Sequence, residues 1–151
     1  MKIISGAQTG ADRAAIDVAI ILGLEYGGSI PKGRKAEDGP ISQKYSSLTE
    51  LSTSDYKVRT EKNVTDTDAT IIFTIGKPTG GTAVTVKFAK KHNKPYLLLD
   101  LKDKSDKEVI KQIKEWLHKN RPDILNIAGP RESKSPGICE MVTTILKEAL
   151  I

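Results

Sequence analysis

The loop at residues 5–13 carries the residue types of an anion-binding site. It lies between a short apolar strand expected at residues 2–4 and an apolar helix expected at residues 14–22. The first N–H groups of a helix have no partner within the helix, and the helix dipole adds partial positive charge there. Glycine has no Cβ, so a ligand can come close to the backbone. An ordinary βα turn, in which the glycines serve only backbone geometry, is the alternative. The candidate ligand-binding residues of this loop are Gly6, Gln8, Thr9, Gly10, Asp12 and Arg13.

Cationic side chains in two further segments could supply charge to the same ligand. Residues 31–40 form an irregular loop rich in glycine, proline and charge, and residues 56–66 are expected to form a polar helix. An arginine binds an anion through a two-pronged fork, and a lysine binds it as a point charge. A mobile surface loop is the alternative for the first segment, and a surface ion pair is the alternative for the arginine of the second. The candidates in these segments are Lys32, Gly33, Arg34, Arg59 and Asn63.

Two later loops repeat the order of strand, glycine turn and helix. One follows a nearly continuous apolar strand at residues 69–75, and the other follows a strand at residues 124–128. The first loop has two adjacent glycines and a threonine, for which helix capping is the alternative. The second has an arginine, a carboxylate and a hydroxyl. The candidates in these loops are Gly80, Gly81, Thr82, Arg131, Glu132 and Ser133.

Strands and helices alternate along the whole chain. The expected strands lie at residues 2–4, 26–30, 69–75, 96–101 and 124–128. This alternation predicts one α/β domain over residues 1–151, a three-layer sandwich with a mainly parallel sheet of about five strands. Ligands of such sheets bind at the carboxyl ends of the strands. Because the glycine-bearing loops all follow strands, we expect them to face one cleft, whereas the strand order cannot be predicted.

Two helix starts carry capping signals. Ser105 and Glu108 have the spacing of a capping box, which predicts a helix from there to Asn120. Ser135 and Pro136 suit the N-cap and the first position of the last helix. Both helices are therefore expected to begin at these signals.

The composition is typical of a globular protein with a basic balance. Of 151 residues, 38% are hydrophobic and 28% are charged, and the formal net charge is +5. The lysines concentrate in predicted helices without an aromatic platform, so nucleic-acid binding is not expected. The single cysteine, Cys139, has no nearby Cys or His with which to form a metal site. We expect neither a metal nor a membrane span, and we expect a cytoplasmic location. Homo-oligomerisation is left open.

Five motifs in a fixed order resemble one family over essentially the whole chain. They are SGAQTGADR at 5–13, PKGRKAEDGP at 31–40, RTEKNV at 59–64, GGTA at 80–83 and GPRES at 129–133. The family is called Putative molybdenum carrier and is also described as circularly permuted YpsA-like proteins. One departure is Ala7, where a glycine is usual and where the extra methyl group narrows the loop.

The resemblance implies a Rossmann-like fold of the SLOG superfamily, which includes DNA-processing protein A and the Lonely Guy proteins. It implies binding or sensing of a nucleotide or a nucleotide-like phosphorylated ligand. The family name implies a carrier of a molybdopterin-type cofactor as an alternative. An oxyanion such as molybdate would need only N–H and cationic donors, and the same donors would serve a phosphate.

A nucleotide-processing enzyme is a further alternative. Lonely Guy proteins hydrolyse nucleotide N-glycosidic bonds with a glutamate that follows their Gly-Gly loop, but residues 83–87 here include no carboxylate. Asp12 or Glu132 could instead act as a general base beside a phosphate. A favourable interaction with the helix N-terminus is the alternative for Asp12. Release of free base from nucleoside monophosphates would reveal an enzyme, and pterin fluorescence would reveal a carrier.

Particular residues are expected to contact the phosphate of the ligand. We expect the phosphate to be held by the backbone N–H groups of residues 9–11 and by the side chain of Arg131. Pro130 restricts the backbone just before Arg131 and so helps to fix its position. Arg34 is expected to act as a mobile clamp that becomes ordered on binding, at an entropic cost. Arg131→Ala should then weaken binding by about 1.5–3 kcal/mol. Arg34→Ala should weaken it less and should leave the unliganded protein almost equally stable.

Overall fold

The computed structural model describes every residue from Met1 to Ile151. Strands and helices alternate along it, with one 3₁₀ turn inside the long loop. No helix is both long enough and apolar enough to cross a membrane. The elements are β1 (Lys2–Ile4), α1 (Ala11–Ile21), β2 (Tyr26–Gly27), β3 (Ser29–Ile30), the 3₁₀ turn (Lys32–Arg34), β4 (Thr49–Glu50), α2 (Tyr56–Thr65), β5 (Ala69–Thr74), α3 (Gly80–Lys91), β6 (Tyr96–Asp100), α4 (Asp106–Asn120), β7 (Ile124–Ala128) and α5 (Ile138–Ala149).

Five strands form one parallel sheet in the order β2-β1-β7-β5-β6. The sheet confirms the predicted fold class, and it gives the strand order that the sequence did not reveal. The last strand in the chain, β7, lies in the centre. Its Leu125 is opposite Ile3 of β1, and its Ile127 is opposite Ile71 of β5. The carboxyl ends of β1, β7 and β5 are therefore adjacent at one edge of the sheet.

Helices cover both faces of the sheet, as the alternation predicts. Residues of α1, α4 and α5 share the main core with Ala69, Ile71 and Phe73, which are alternate residues of β5. The other alternate set of β5 points to the opposite face, where α3 packs on β5 and α2 packs on α3. Fully buried Ala14 and Ala15 let α1 lie close to α5. The fold is thus a three-layer sandwich.

The strand expected at residues 26–30 is divided in two at Gly28. A Cβ at this position would lie 1.9 Å from the carbonyl oxygen of Ser5, and the backbone has a φ of +142°. The chain turns away from the main sheet there, and Ser29–Ile30 pairs instead with Thr49–Glu50 in a small second sheet. The amino-acid pattern does not predict this second sheet, because the residues of β4 are polar and exposed.

The two capping signals have different outcomes. The capping box of α4 is confirmed, with Ser105 accepting the N–H of Glu108 at 3.2 Å and Glu108 accepting the N–H of Ser105 at 2.8 Å. The N-cap of α5 is Gly137 rather than Ser135. The carboxylate of Glu132 accepts the N–H groups of Gly137 and Cys139, so it caps this helix in place of the serine.

Candidate functional site

A polar cleft of about 480 Å³ opens where β1, β5 and β7 end. Loops from all three strands contribute to it, together with one face of α2 and the first turn of α3. Only one of its lining residues is hydrophobic. The lining residues are Gly6, Gln8, Asp12, Arg59, Thr60, Asn63, Thr79, Gly80, Gly81, Thr82, Thr85, Asn126, Ala128, Gly129, Pro130, Arg131, Ser133 and Lys134.

The N-terminus of α3 is open to this cleft. The first hydrogen bond inside the helix joins the N–H of Ala83 to the carbonyl of Thr79, so the N–H groups of Gly80, Gly81 and Thr82 lack a partner in the helix. No side chain caps them. A Cβ on Gly81 would meet no atom within 4 Å, so a ligand has room beside the backbone. These features, together with the helix dipole, suit this turn to an anion.

A lysine stands at the same turn. The Nζ of Lys134 lies 2.8 Å from the point that a Cβ on Gly80 would occupy. This side chain is exposed and makes no ion pair within the protein. Lys134 was not among the residues predicted from sequence, although it lies directly after the GPRES motif at 129–133, which contains three of them. Only the three-dimensional packing brings this residue of the β7–α5 loop against the start of α3.

Two of the three N–H groups expected to hold a phosphate at the start of α1, those of Thr9 and Ala11, already have partners within the protein. The N–H of Ala11 donates to the carbonyl of Pro130 at 3.1 Å, and the N–H of Thr9 donates to the side-chain oxygen of Gln8 at 3.1 Å. A Cβ on Gly10 would lie 2.3 Å from the Pro130 carbonyl oxygen. The glycine therefore lets the loop after β7 come close to the start of α1.

Gly6 makes room for an arginine rather than for a ligand. A Cβ at Gly6 would lie 1.8 Å from Nη1 of Arg59. The same Nη1 donates to the carboxylate of Asp12 at 3.2 Å, and the guanidinium lies 5.4 Å from the ring centre of Tyr56. Asp12 and Arg59 are both buried. Burial raises the pKa of Asp12, while the charge of Arg59 and the backbone amides of Gln8 and Gly129 act in the opposite direction.

Two buried donors in the cleft lining lack an acceptor. They are Nε2 of Gln8 and Nε of Arg59. The amide orientation of Gln8 follows from its oxygen, which accepts the N–H groups of Thr9 and Glu37. A buried donor without an acceptor loses the hydrogen bonds that water would provide. The protein thus leaves two donors unpaired beside the cleft.

Arg131 lines the cleft, and it also belongs to a network that joins three loops. The carboxylate of Glu37, in the long loop, accepts the hydroxyl of Thr9 and the N–H of Ser133, the latter at 3.1 Å. Arg131 approaches the same carboxylate at 3.7 Å. Burial acts to raise the pKa of Glu37, but these hydrogen bonds and the charge of Arg131 hold it below its ordinary value.

The structure does not place Lys32, Gly33 and Arg34 in the cleft lining. Arg34 donates instead to the backbone carbonyls of Ile41, Ser42 and Tyr45, at 2.8, 2.8 and 3.2 Å. Its guanidinium holds the long loop together, so the expected mobile clamp over the ligand is not what this structure contains. The sequence indicated a cation in the loop but could not indicate the three carbonyls that surround it.

Four other candidates face a separate open groove of about 620 Å³ on the far side of the first loop, namely Thr9, Gly10, Arg13 and Glu132. Arg13 pairs there with Asp38 at 3.0 Å. Glu132 caps α5 and is not among the residues that line the cleft. Ser133 contributes to both the groove and the cleft.

The remaining candidates, Asn63 and Thr82, do line the cleft, where Asn63 also bonds both backbone groups of Ser29. Other polar residues of the lining were not anticipated. Asn126 had a detectable signal, since it is a buried amide within the apolar strand β7. Thr79 and Thr85 flank the glycine turn of α3 and resemble ordinary helix residues in sequence. No group of three or more His, Cys, Asp or Glu side chains is arranged to hold a metal ion.

Comparisons with known proteins give one family and two similar solved structures. The family described as circularly permutated YpsA SLOG matches residues 3–150. A crystal structure described as Putative molybdenum carrier protein, from Syntrophus aciditrophicus SB, is 47% identical, with a TM-score of 0.96 over 99% of this chain and 94% of that chain. A structure of (E)-4-hydroxy-3-methyl-but-2-enyl diphosphate reductase aligns at 13% identity and a TM-score of 0.42, over 97% of this chain and 58% of that one. No curated protein matches the chain.

Proposed function

The chain belongs to the circularly permuted YpsA SLOG family, and from that membership and the lining of its cleft we propose that it binds a small nucleotide-like phosphorylated ligand. The observation that carries this proposal is the uncapped first turn of α3, with three free N–H groups facing the cleft. The phosphate binds there rather than at residues 9–11, where the loop after β7 packs against the backbone and the N–H groups of Thr9 and Ala11 are already paired. The protein acts as a binding or sensing module.

Charge around the cleft supports an anionic ligand. Lys134 lies against the start of α3, and Arg131 lines the same cleft with its side chain 39% exposed. Asp12 is the only carboxylate in the lining, and it is paired with Arg59. The cations therefore outnumber the carboxylates, which attracts a phosphate and stabilises it once bound.

The size and polarity of the cleft support a small ligand that is recognised through hydrogen bonds. A volume of about 480 Å³ lies within the usual range for small-molecule sites. Hydroxyl and amide side chains such as Thr79, Thr82 and Asn126 can recognise the hydroxyl groups of a sugar phosphate. The lining offers no aromatic side chain on which a base or pterin could stack, so the phosphorylated part of the ligand contributes most of the affinity.

A second candidate function follows from the 47% identical protein described as Putative molybdenum carrier. Molybdate is an oxyanion, and the donors at the start of α3 suit an oxyanion as well as they suit a phosphate ester. A molybdopterin-type cofactor would place its phosphate at the same donors. Titration with molybdate and with sulfate separates these ideas, since a molybdenum carrier prefers molybdate to sulfate.

An enzymatic role is supported less well. Asp12 is the one carboxylate at the cleft, and it is buried and paired with Arg59. A general base needs a free lone pair directed at the proton that it removes. We infer that Asp12 holds Arg59 in place. Chromatography of nucleoside monophosphates after incubation with the protein checks this inference, and the expected result is no free base.

Thermal-shift screening of nucleotides and sugar phosphates, followed by calorimetric titration of the best ligand, tests the proposal. A ligand that prefers the native state raises apparent stability by mass action. Lys134→Ala should weaken binding about tenfold, since one charge-assisted hydrogen bond contributes about 1.5 kcal/mol. Lys90→Ala, an exposed lysine in the last turn of the same helix, is the matched control and should bind normally. Equal weakening in both variants would mean that only overall charge matters.

A further inference from the structure

Arg59 has an unused hydrogen-bonding edge, and this edge gives the cleft a second recognition point. Only Nη1 of its guanidinium has a partner in the protein, the carboxylate of Asp12. Nε is buried without an acceptor, and Nη2 makes no hydrogen bond within the protein. The Nε and Nη2 groups together form one of the two forks through which arginine binds a carboxylate or a phosphate.

The position of this arginine is fixed before any ligand binds. Asp12 holds Nη1, Gly6 lacks the Cβ that would displace the guanidinium, and the Tyr56 ring lies beside it. The residue is only 9% exposed, so it has little freedom to reorient. A preorganised donor loses little conformational entropy on binding.

Gln8 adds a third unpaired donor on the same wall of the cleft. Its Nε2 lacks an acceptor, while its oxygen is fixed by two backbone N–H groups. Gly6, Gln8 and Arg59 all line the cleft together with Asp12. This wall is formed by the β1 loop and α2, whereas the phosphate proposed above binds at the N-terminus of α3. The two sets of donors are therefore distinct.

We propose that the ligand carries a second acidic group, a carboxylate or a further phosphate, that binds the free fork of Arg59 and the amide of Gln8. This inference rests on the proposed function, because it assumes a phosphate at α3. It narrows the ligand from any phosphorylated compound to a small molecule with two separate acidic groups. A nucleoside monophosphate, with a single acidic group, satisfies only half of the donors.

Pairs of probes that differ only in the second acidic group test the proposal. One pair is 3-phosphoglycerate and glycerol 3-phosphate, and the other is 2-phosphoglycolate and ethyl phosphate. The measured quantity is the ratio of the two dissociation constants within each pair, obtained by calorimetric titration. We expect the diacid of at least one pair to bind about tenfold more tightly than its partner, as a charged bidentate contact allows.

Two substitutions test whether Arg59 and Gln8 cause the tighter binding of the diacid. Arg59→Lys keeps a cation beside Asp12 but removes the fork, and it should reduce the ratio to about one. Gln8→Glu keeps an oxygen for the N–H groups of Thr9 and Glu37 but removes the donor, and it should reduce the ratio at least about threefold. Lys134→Ala should weaken both members of a pair and leave their ratio unchanged. Thermal unfolding confirms that each variant is folded.

The outcomes separate the two proposals. If both members of each pair bind with equal affinity to the unaltered protein, the second acidic group is excluded and the phosphate site stands. If the diacids bind more tightly but both Arg59→Lys and Gln8→Glu keep the ratio, the second recognition point lies elsewhere and this inference fails. If no probe binds at all, the proposed function itself fails. Should Arg59→Lys not fold, Gln8→Glu alone decides.

Discussion

Gly6 and Arg59 depend on each other sterically. Gly6→Ala would place a methyl group 1.8 Å from Nη1 of Arg59, so the guanidinium must move away from Asp12. We expect the variant to lose about 1–3 kcal/mol of unfolding free energy, the usual cost of overpacking. Urea denaturation measures the loss. Gly81→Ala is the control, because its methyl group meets no atom within 4 Å, and it should leave stability nearly unchanged.

Gly81→Ala also separates stability from binding. The added methyl group stands where the backbone of α3 is open to the cleft, so affinity for a phosphorylated ligand should fall even though the fold is kept. If Gly6→Ala is as stable as the unaltered protein, Gly6 does not hold the guanidinium of Arg59 against Asp12.

Arg34 illustrates how a charged side chain can be misassigned from sequence. Its three bonds to backbone carbonyls lead us to expect that Arg34→Ala destabilises the protein by about 1–2 kcal/mol, whereas the sequence suggested almost no effect. Chemical denaturation measures the difference. The neighbouring exposed Lys32, replaced by Ala, serves as the control. Equal stability of the two variants would restore the idea that Arg34 is free to reach a ligand.

At the scale of elements, two similar turns have different surroundings. The turns before α1 and α3 both follow a strand and both contain glycines, so the sequence predicts an anion site at each. At the first turn, the N–H of Ala11 donates a hydrogen bond to the carbonyl of Pro130. At the second turn, no side chain caps the first N–H groups of α3. The sequence identifies the local geometry of each turn. It does not reveal the acceptor at the first turn, because Pro130 lies about 120 residues away along the chain.

Glu37 joins the long loop to Thr9 of the first loop and to Arg131 and Ser133 of the loop after β7. The contribution of these contacts to the stability of the protein should decrease at low pH. The pKa of Glu37 in the folded protein is lower than the ordinary value of 4.5. An acid of this kind stabilises the fold above its unfolded-state pKa, and that contribution is lost as pH falls through the folded-state pKa. From about pH 5 downward, the unaltered protein should therefore lose stability more steeply than Glu37→Gln does.

Urea denaturation at a series of pH values measures this difference. Glu148→Gln, which removes the same charge from an exposed position on α5, is the control and should follow the unaltered protein. Parallel curves for Glu37→Gln and the unaltered protein would show that the carboxylate of Glu37 does not link the loops.

At the scale of the whole molecule, the fold class was predictable because the alternation of strands and helices permits few arrangements. The convergence of the loops after β1, β5 and β7 followed from the same argument. The central position of β7 did not, since the sequence of a strand does not name its neighbours. The contribution of Lys134 to the cleft was hidden for the same reason, because it depends on where the last loop crosses the sheet.

Hydrogen exchange offers a test of the whole cleft at once. If a ligand binds as proposed, the backbone of residues 56–63, 79–85 and 126–134 should become more protected in its presence, because these segments line one cleft. The helix Asp106–Asn120 contributes no lining residue and serves as the internal control. Protection confined to the open groove around Arg13 and Cys139 would move the site to the other side of the first loop.

The central position of β7 has a consequence for synthesis on the ribosome. The strands made earlier form two separate pairs, β1 with β2 and β5 with β6, and neither pair borders the other in the finished sheet. Only residues 124–128 join them, and these are made after all the other strands. Pairing between such distant segments is slow to form. The nascent chain therefore has neither a continuous sheet nor a complete cleft until β7 has been made, and a chaperone would meet two unjoined half-sheets.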